Sequence, residues 1–342
     1  MILGIESSCD ETSASIVKSG VSEIYTSLAT SRDLHEKTGG VVPEVASRKQ
    51  LEFILPVLED CFAQSCLILK ISRQELISEI KAIAVTKGPG LIGSLVVGIE
   101  AAKALSLAWN KPLVPVNHLV GHLYANFLVH PIIEFPAIGL VVSGGHTDLV
   151  LIKNHGDLMY LGGTLDDAAG EAFDKTARLL GLSNYKLGGP AISKKAAEYD
   201  NSVKPTHSLP RPLIDADNYD FSFSGLKTAV RYLVEKNPSL PPQEVAFEFE
   251  NAVVDVITTK TLKAVKEHNV KSLLMGGGVV ANTRLRNTMQ ELMTNQNIKL
   301  YYPPINLCGD NAAYIASTAH FNFNPVDSFN QLQPDPALSI TA

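Results

Sequence analysis

Apolar and small residues alternate at the start of the chain (Ile2, Gly4), a polar stretch follows, and Ile16 and Val17 resume the pattern. That order predicts strand, Ser-rich turn, strand. Pro43 to Ser65 carries Val45, Leu51, Ile54, Leu55, Leu58 and Phe62 at helical spacing, with Pro43 and Glu44 in a first turn. Pro56 predicts a kink or break inside that helix. Ala82–Thr86 and Leu113–Val116 read as short buried strands. Between them GPGLIGSLVVGIEAAKALSLAW is a Gly-rich turn running into a helix, and NHLVGHLYANFL after them is helical.

A second strand–turn–strand begins at Ala137 (AIGLVVSGGHTDLVLI) and mirrors the first. Leu165–Leu180, Pro242–His268 and Asn282–Thr294 read as helices, the second with Val245, Phe249, Val253 and Ile257 on one face. Lys271–Met275 reads as a strand closed by three glycines, and AAYIASTAHF as a last helix. Residues 184–223 are rich in Pro, Asp and Ser and read as an irregular insertion; the tail from Asn324 reads as frayed. Strands alternating with helices, and a hairpin unit that occurs twice, predict two α/β lobes with a ligand cleft between them. The expected lobes are 1–130, with a C-terminal helix at about 310–325 packing back on it, and 131–309; 326–342 is tail.

Composition adds bounds. The 342 residues are 45% hydrophobic and 19% charged, enough for a core without disulfide or metal staples. Net charge is −6, which excludes a protein that coats nucleic acid by bulk attraction. The start lacks a basic region ahead of its apolar residues, and no run of 18 apolar residues occurs, so neither a signal peptide nor a membrane span is expected. Cys9, Cys61, Cys66 and Cys308 form no CxxC pair and read as thiols of a cytoplasmic protein.

Four constellations carry chemistry. His118 and His122 stand four apart and share a helix face, suiting a shared metal. Leu119 occupies the place where a zinc protease has its Glu, so that general base is missing. Asp310, in a turn opening a helix, is the best third ligand; two His and a carboxylate suit iron(II) or zinc(II). Next, Gly88–Gly90, Ser143–Gly145, Gly188–Pro190 and Gly276–Gly278 are Gly-rich turns beside periodic segments, where backbone amides can approach phosphate. The pair of hairpins with a Gly-rich turn resembles the actin-like ATPase architecture. Third, Asp167, Glu171 and Asp174 share one helix face, either solvated or offering a carboxylate to a ribose; Lys175 reads as a surface group. Fourth, Asp10 and Glu11 lie in the first hairpin turn, where they could order water, metal or an incoming amine.

Together ESSCDET, HEKTGGVVPEVASR, TKGPGLIGSLVVG, NHLVGH, VVSGGHT, DDAAGEAFDK, FSFSGLKTAV, GGGVVANTRLR and CGDNAA, in this order from about residue 2 to residue 318, resemble the universal tRNA threonylcarbamoyladenosine transferase family, once known as O-sialoglycoprotein endopeptidases. The resemblance implies a two-lobed actin-like (sugar kinase and Hsp70) superfold with duplicated ribonuclease H-like lobes. It implies transfer of the threonylcarbamoyl group from threonylcarbamoyl-adenylate to the N6 amine of the adenosine beside the anticodon in tRNAs reading ANN codons, with release of AMP. It implies His118, His122 and Asp310 as metal ligands, Val141, Val142, Ser143, Gly144 and Gly145 as the substrate loop, Asp174 and Gly189 at the nucleoside, and Asn282 in the adenine turn. A TsaB-like paralogue and a TsaE-like ATPase are the partners it implies. One departure stands out: Tyr185–Pro190 has one residue more than the family's YPGGP-like stretch, which bears on the register of Gly189.

For this chemistry Asp10 or Glu11 is the candidate base for the amine proton. A metalloprotease, an Hsp70-like nucleotide switch and a sugar kinase are the competing readings. tRNA contact by an acidic chain requires local positive charge; Lys186, Lys194, Lys195, Lys204, His207, Arg211, Arg284 and Arg286 are the candidates.

Overall fold

The computed structural model describes residues 1–38, 40–183, 188–200 and 202–342. Strands β1 (Ile2–Glu6), β2 (Glu11–Lys18) and β3 (Ser22–Thr30) form an antiparallel meander. Helices α1 (Arg32–Thr38), α2 (Pro43–Leu69) and α3 (Arg73–Glu79) follow. Then come β4 (Ala82–Gly88), α4 (Ile92–Trp109), β5 (Leu113–Asn117) and α5 (His118–Tyr124). β4 lies parallel to β1, and β5 parallel to β4, in a sheet of order β3-β2-β1-β4-β5.

The pattern repeats in β6 (Ala137–Val142), β7 (Thr147–Asn154) and β8 (Asp157–Gly163), again an antiparallel meander. After them come α6 (Ala169–Leu179), α7 (Gly188–Ala196), α8 (Ser224–Lys236), α9 (Pro242–His268), β9 (Ser272–Gly276), α10 (Thr283–Asn295) and β10 (Lys299–Tyr301). The second sheet is ordered β10-β9-β6-β7-β8, with β9 parallel to β6 and β10 to β9. Its first strand thus holds the same central place as β1. Helix α11 (Ala312–Phe321) closes the chain's regular structure. The chain forms two compact units, 1–133 with 303–342, and 134–302.

The first unit is built around β1. Leu3, Ile5, Ile83 and Val85 meet α2 and α4 on one face of the sheet. Ile2, Ala82, Ala84 and Val116 meet α11 on the other. That second contact is close: a Cβ at Gly4 would stand 2.2 Å from the Ala312 carbonyl oxygen, so only glycine admits the helix. α4 is long and apolar enough to cross a membrane, but its Leu95, Ile99 and Ala102 are spent on this core.

Several expectations change. α2 runs through Pro56 without a break. The proline sits on the exposed side, where the carbonyl it frees can turn to water. Leu51 and Leu55 are exposed, and Ala46, Gln50, Ile54, Val57 and Cys61 do the burying. The supposed irregular insertion contains α7. α6 begins at Ala169, because the residues before it form a turn in which Asp166 accepts hydrogen bonds from the backbone and hydroxyl of Ser224 and from Phe223 N. The tail is packed, not frayed: Leu332, Leu338 and Ile340 are buried, Asp335 N donates to Lys87 O, and Asn117 Nδ2 donates to Ser339 O.

Replacing Gly4 with Val should push α11 off β1 and cost about 1–3 kcal/mol of stability or more. Urea unfolding measures it; a loss under about 0.5 kcal/mol would show that this approach is not tight.

Candidate functional site

In the first unit the carboxyl ends of the parallel strands β1, β4 and β5 come together, where ligand sites of open α/β sheets lie. They deliver Glu6, Thr86 and His118. Asn117 caps α5 by accepting from Leu119 N and Val120 N, so the helix starts at His118 and returns His122 to the same face one turn later. Asn311 caps α11 in the same way and places Asp310 just ahead of that helix. Tyr314 of α11 lies against Gly121, where a Cβ would meet its ring at 2.7 Å. Gly121 thus lets the two helices close on each other.

The three predicted ligands do meet. His118 Nε2 and His122 Nε2 stand 3.6 and 3.5 Å from Asp310 Oδ1, and the ligand atoms all lie within 4.8 Å of one another. Both histidines are buried and Asp310 is partly exposed, so the group is shielded yet reachable. Two nitrogens and an oxygen on this spacing fit a divalent metal ion. Burial opposes charge on His118, but the Glu6 and Asp310 carboxylates outweigh it and push its pKa up to about 9. His122 goes the other way: burial, against the hydrogen bond to Asp310 and together with the nearby His118, holds it below the usual imidazole value. The phenol of Tyr314 is pushed well above its usual range, chiefly by burial, and stays protonated.

The hairpin turn after β1 is held from behind. Gln50 Nε2, on α2, lies 3.1, 2.9 and 3.1 Å from the carbonyls of Ser7, Cys9 and Glu11. Asp10 is buried, and its carbonyl takes Ser31 N. Glu11 is ion-paired with Arg32 at 3.2 Å, so a proton-accepting role requires that pair to open.

The second unit gathers the other candidates. The Ser143–Gly145 turn joins β6 to β7 and is tied by Ser143 N to His146 O and His146 N to Ser143 Oγ. Gly277 packs beside it at φ +100°, with room for no Cβ against Val142 O at 2.4 Å. Gly170 N at the start of α6 reaches Ser143 O. Gly144 and Gly145 are exposed with open space around them, whereas the Val141 and Val142 side chains are core, leaving only their backbone to a ligand. Asp174 accepts from Gly188 N at 2.8 Å, and a Cβ added at the neighbouring Gly189 would meet open space. Asn282 caps α10 through Oδ1, and its Nδ2 donates to Ser193 Oγ and Glu250 Oε1.

The expected surface cations are mostly committed. Arg211 pairs with Glu248 and Asp255, Lys195 with Glu198, and Arg284 with Glu250, while Arg286 lies over Tyr302. Lys194 and Lys204 are exposed, and Lys186 lies outside the described residues. Lys175 is partly exposed and bridges Asp167 and Glu171 at 2.9 and 2.7 Å. Sequence reasoning missed Glu6, Gln50, Arg32 and Glu250. An acid closing the apolar strand ILGIE was the one available signal among them.

The metal-free protein should lose stability with rising pH. His118 stands above its ordinary value of 6.5, so its contribution is complete below about pH 6.5 and disappears as pH climbs through about 9. Melting temperatures of the metal-free chain and of His118→Gln across this range test it. The two profiles should converge at the alkaline end; parallel profiles would remove His118 as the source.

Comparison with known proteins agrees with this anatomy. Residues 23–317 match the family described as tRNA N6-adenosine threonylcarbamoyltransferase. Curated relatives of that name include one from Dehalococcoides mccartyi, 50% identical over 100% of this chain and 99% of its own. Another from Bacillus subtilis is 46% identical over 100% of this chain and 96% of its own. Among solved structures, full-length HypF in the phosphate- and nucleotide-bound form has a TM-score of 0.59 at 12% identity, covering 94% of this chain and 55% of that one. Component A of the Acidaminococcus fermentans (R)-2-hydroxyglutaryl-CoA dehydratase has 0.52 at 13%, covering 97% and 98%. These likenesses give the fold, which is actin-like. Relatives at about half identity along the whole length give the lineage: this chain belongs to the tRNA N6-adenosine threonylcarbamoyltransferase family.

Proposed function

We propose that the chain transfers a threonylcarbamoyl group from threonylcarbamoyl-adenylate to the N6 amine of the tRNA adenosine beside the anticodon. The observation that carries this is end-to-end identity with relatives named for the tRNA reaction. The amine nitrogen forms a bond to the carbamoyl carbon. The bond from that carbon to the phosphate oxygen breaks, and AMP leaves with the electron pair. The amine proton goes to a base, for which Asp10 and Glu11 are the candidates. The donor is already an activated anhydride, so the protein needs no covalent nucleophile; its work is orientation and charge stabilisation.

His118, His122 and Asp310 would hold one divalent metal, iron(II) by preference and zinc(II) as second choice. Such an ion, when bound, supplies Lewis acidity for charge developing on the carbamoyl oxygen. The Ser143–Gly145 turn would offer its backbone to the adenylate, with Asp174, Gly189 and Asn282 at the nucleoside. The Asn282 side chain is held by Ser193, Glu250 and Leu285 N. A TsaB-like paralogue and a TsaE-like ATPase are the proposed partners, and the cytoplasm is where tRNA is met. The missing Glu after His118 speaks against the protease alternative.

Incubation with unmodified tRNA and threonylcarbamoyl-adenylate, alone and with both partners, should add the group to adenosine, read by nucleoside mass analysis. No gain under any of these conditions would sink the proposal. His122→Ala and Asp310→Ala should each lower transfer about 100-fold or more and lose bound metal. Asp10→Asn or Glu11→Gln with an unchanged rate at saturating tRNA would exclude that residue as the base.

A further inference from the structure

We infer that Glu6 is a positioning residue for the metal centre: its carboxylate accepts a hydrogen bond from the Nδ1–H of His118 and thereby fixes Nε2 as the nitrogen offered alongside His122 and Asp310. This rests on the reading that those three residues hold a divalent ion.

Glu6 is fully buried at the end of β1. A buried carboxylate is costly unless it is paired and hydrogen-bonded. Among the described residues it forms no ion pair with Lys or Arg; the basic side chain it meets is His118, with Nδ1 3.0 Å from Oε2. Thr86 Oγ1 donates to Oε2 at 2.6 Å, and Ser8 N donates to Oε1 at 2.5 Å. The carboxylate is therefore anchored from two sides and aimed at one imidazole nitrogen.

Two hydroxyls also lie near Nδ1, Ser8 Oγ at 3.4 Å and Tyr314 Oη at 3.5 Å. Each is more distant than Glu6, and a hydroxyl can donate or accept, so neither dictates where the proton sits. An ionised carboxylate only accepts. With Nδ1 as donor to Glu6, the lone pair of Nε2 points toward Asp310 and His122. A carboxylate behind a metal-bound histidine orients the ring and raises its basicity, and its loss costs about 10- to 100-fold in metal affinity. His122 has no such support: its buried Nδ1 has no hydrogen-bond partner among the described residues. Of the two rings, His118 is the one held in register from behind.

The test is Glu6→Gln, which keeps size but can present an N–H to Nδ1. That would turn Nδ1 into an acceptor and put the proton on Nε2, the metal-facing atom. Thr86→Val is the control, removing an anchor of the same carboxylate without changing what faces the imidazole. Cobalt(II) affinity is measured by competition with a chelator, and the Co(II) ligand-field spectrum reports geometry. Glu6→Gln should bind cobalt about 10- to 100-fold more weakly than wild type, with Thr86→Val much closer to wild type. Equal losses in both variants would mean that Glu6 only knits the strands together, overturning the proposal, as would cobalt binding in Glu6→Gln within about twofold of wild type. Nitrogen-15 resonances of His118 in the zinc-loaded wild type give an answer independent of how either variant folds. A protonated Nδ1 with metal on Nε2 supports the assignment, and metal on Nδ1 rejects it. Should wild type bind no more metal than His122→Ala, the metal reading itself fails and takes this inference with it.

Discussion

The docking of α11 across β1 is the contact on which the first unit depends. It is possible because residue 4 has no side chain, and it fills one whole face of the central strands. It also delivers Asp310 to two histidines that lie far earlier in the chain. Ser13 Oγ of β2 accepts from Ala312 N and Asn311 caps the helix, so the position of Asp310 is set by the sheet as well as by α5. The same closeness recurs at Gly121 under Tyr314. Two missing side chains therefore bring together the two helices that frame the histidines and the carboxylate.

The two units solve a common problem differently. Each places an antiparallel meander beside two parallel strands, with the first strand in the centre. In the first unit the strand ends carry ionisable side chains, Glu6 and His118 among them, arranged so that buried charges face one another. In the second, the equivalent ends carry Ser143, Gly144, Gly145 and Gly277, and what faces outward is backbone. The first unit presents ionisable side chains at its strand ends, and the second presents backbone amides.

Segments with strong period were legible in the sequence: β4, β5, α9 and α10 fall within a residue or two of their expected bounds. β3 and β8 were missed because they are edge strands. Most of β3 is exposed or half-buried, so it shows no sharp alternation. α2 was found, but its buried face includes Gln50 and Ser65, polar residues that no hydrophobic pattern would select. The cluster of His118, His122 and Asp310 was legible because the two histidines share a helix turn and Asp310 opens a helix. Glu6 was not, since its partners lie on β4 and α5. The basic patch was overdrawn for a similar reason. The acids of α9, Glu248, Glu250 and Asp255, neutralise Arg211 and Arg284 only once the chain is folded.

The first unit is discontinuous: residues 134–302 interrupt it, and α11 with the tail completes it. Synthesis is vectorial, and domains tend to fold as units while the chain emerges. The inserted unit is whole before its host is. Until residues 303–342 leave the ribosome, β1 has one bare apolar face and the histidines lack their carboxylate. A nascent chain at that stage exposes the apolar sheet surface that α11 later covers. The cluster of His118, His122 and Asp310 is thereby completed only after the whole inserted unit has been made.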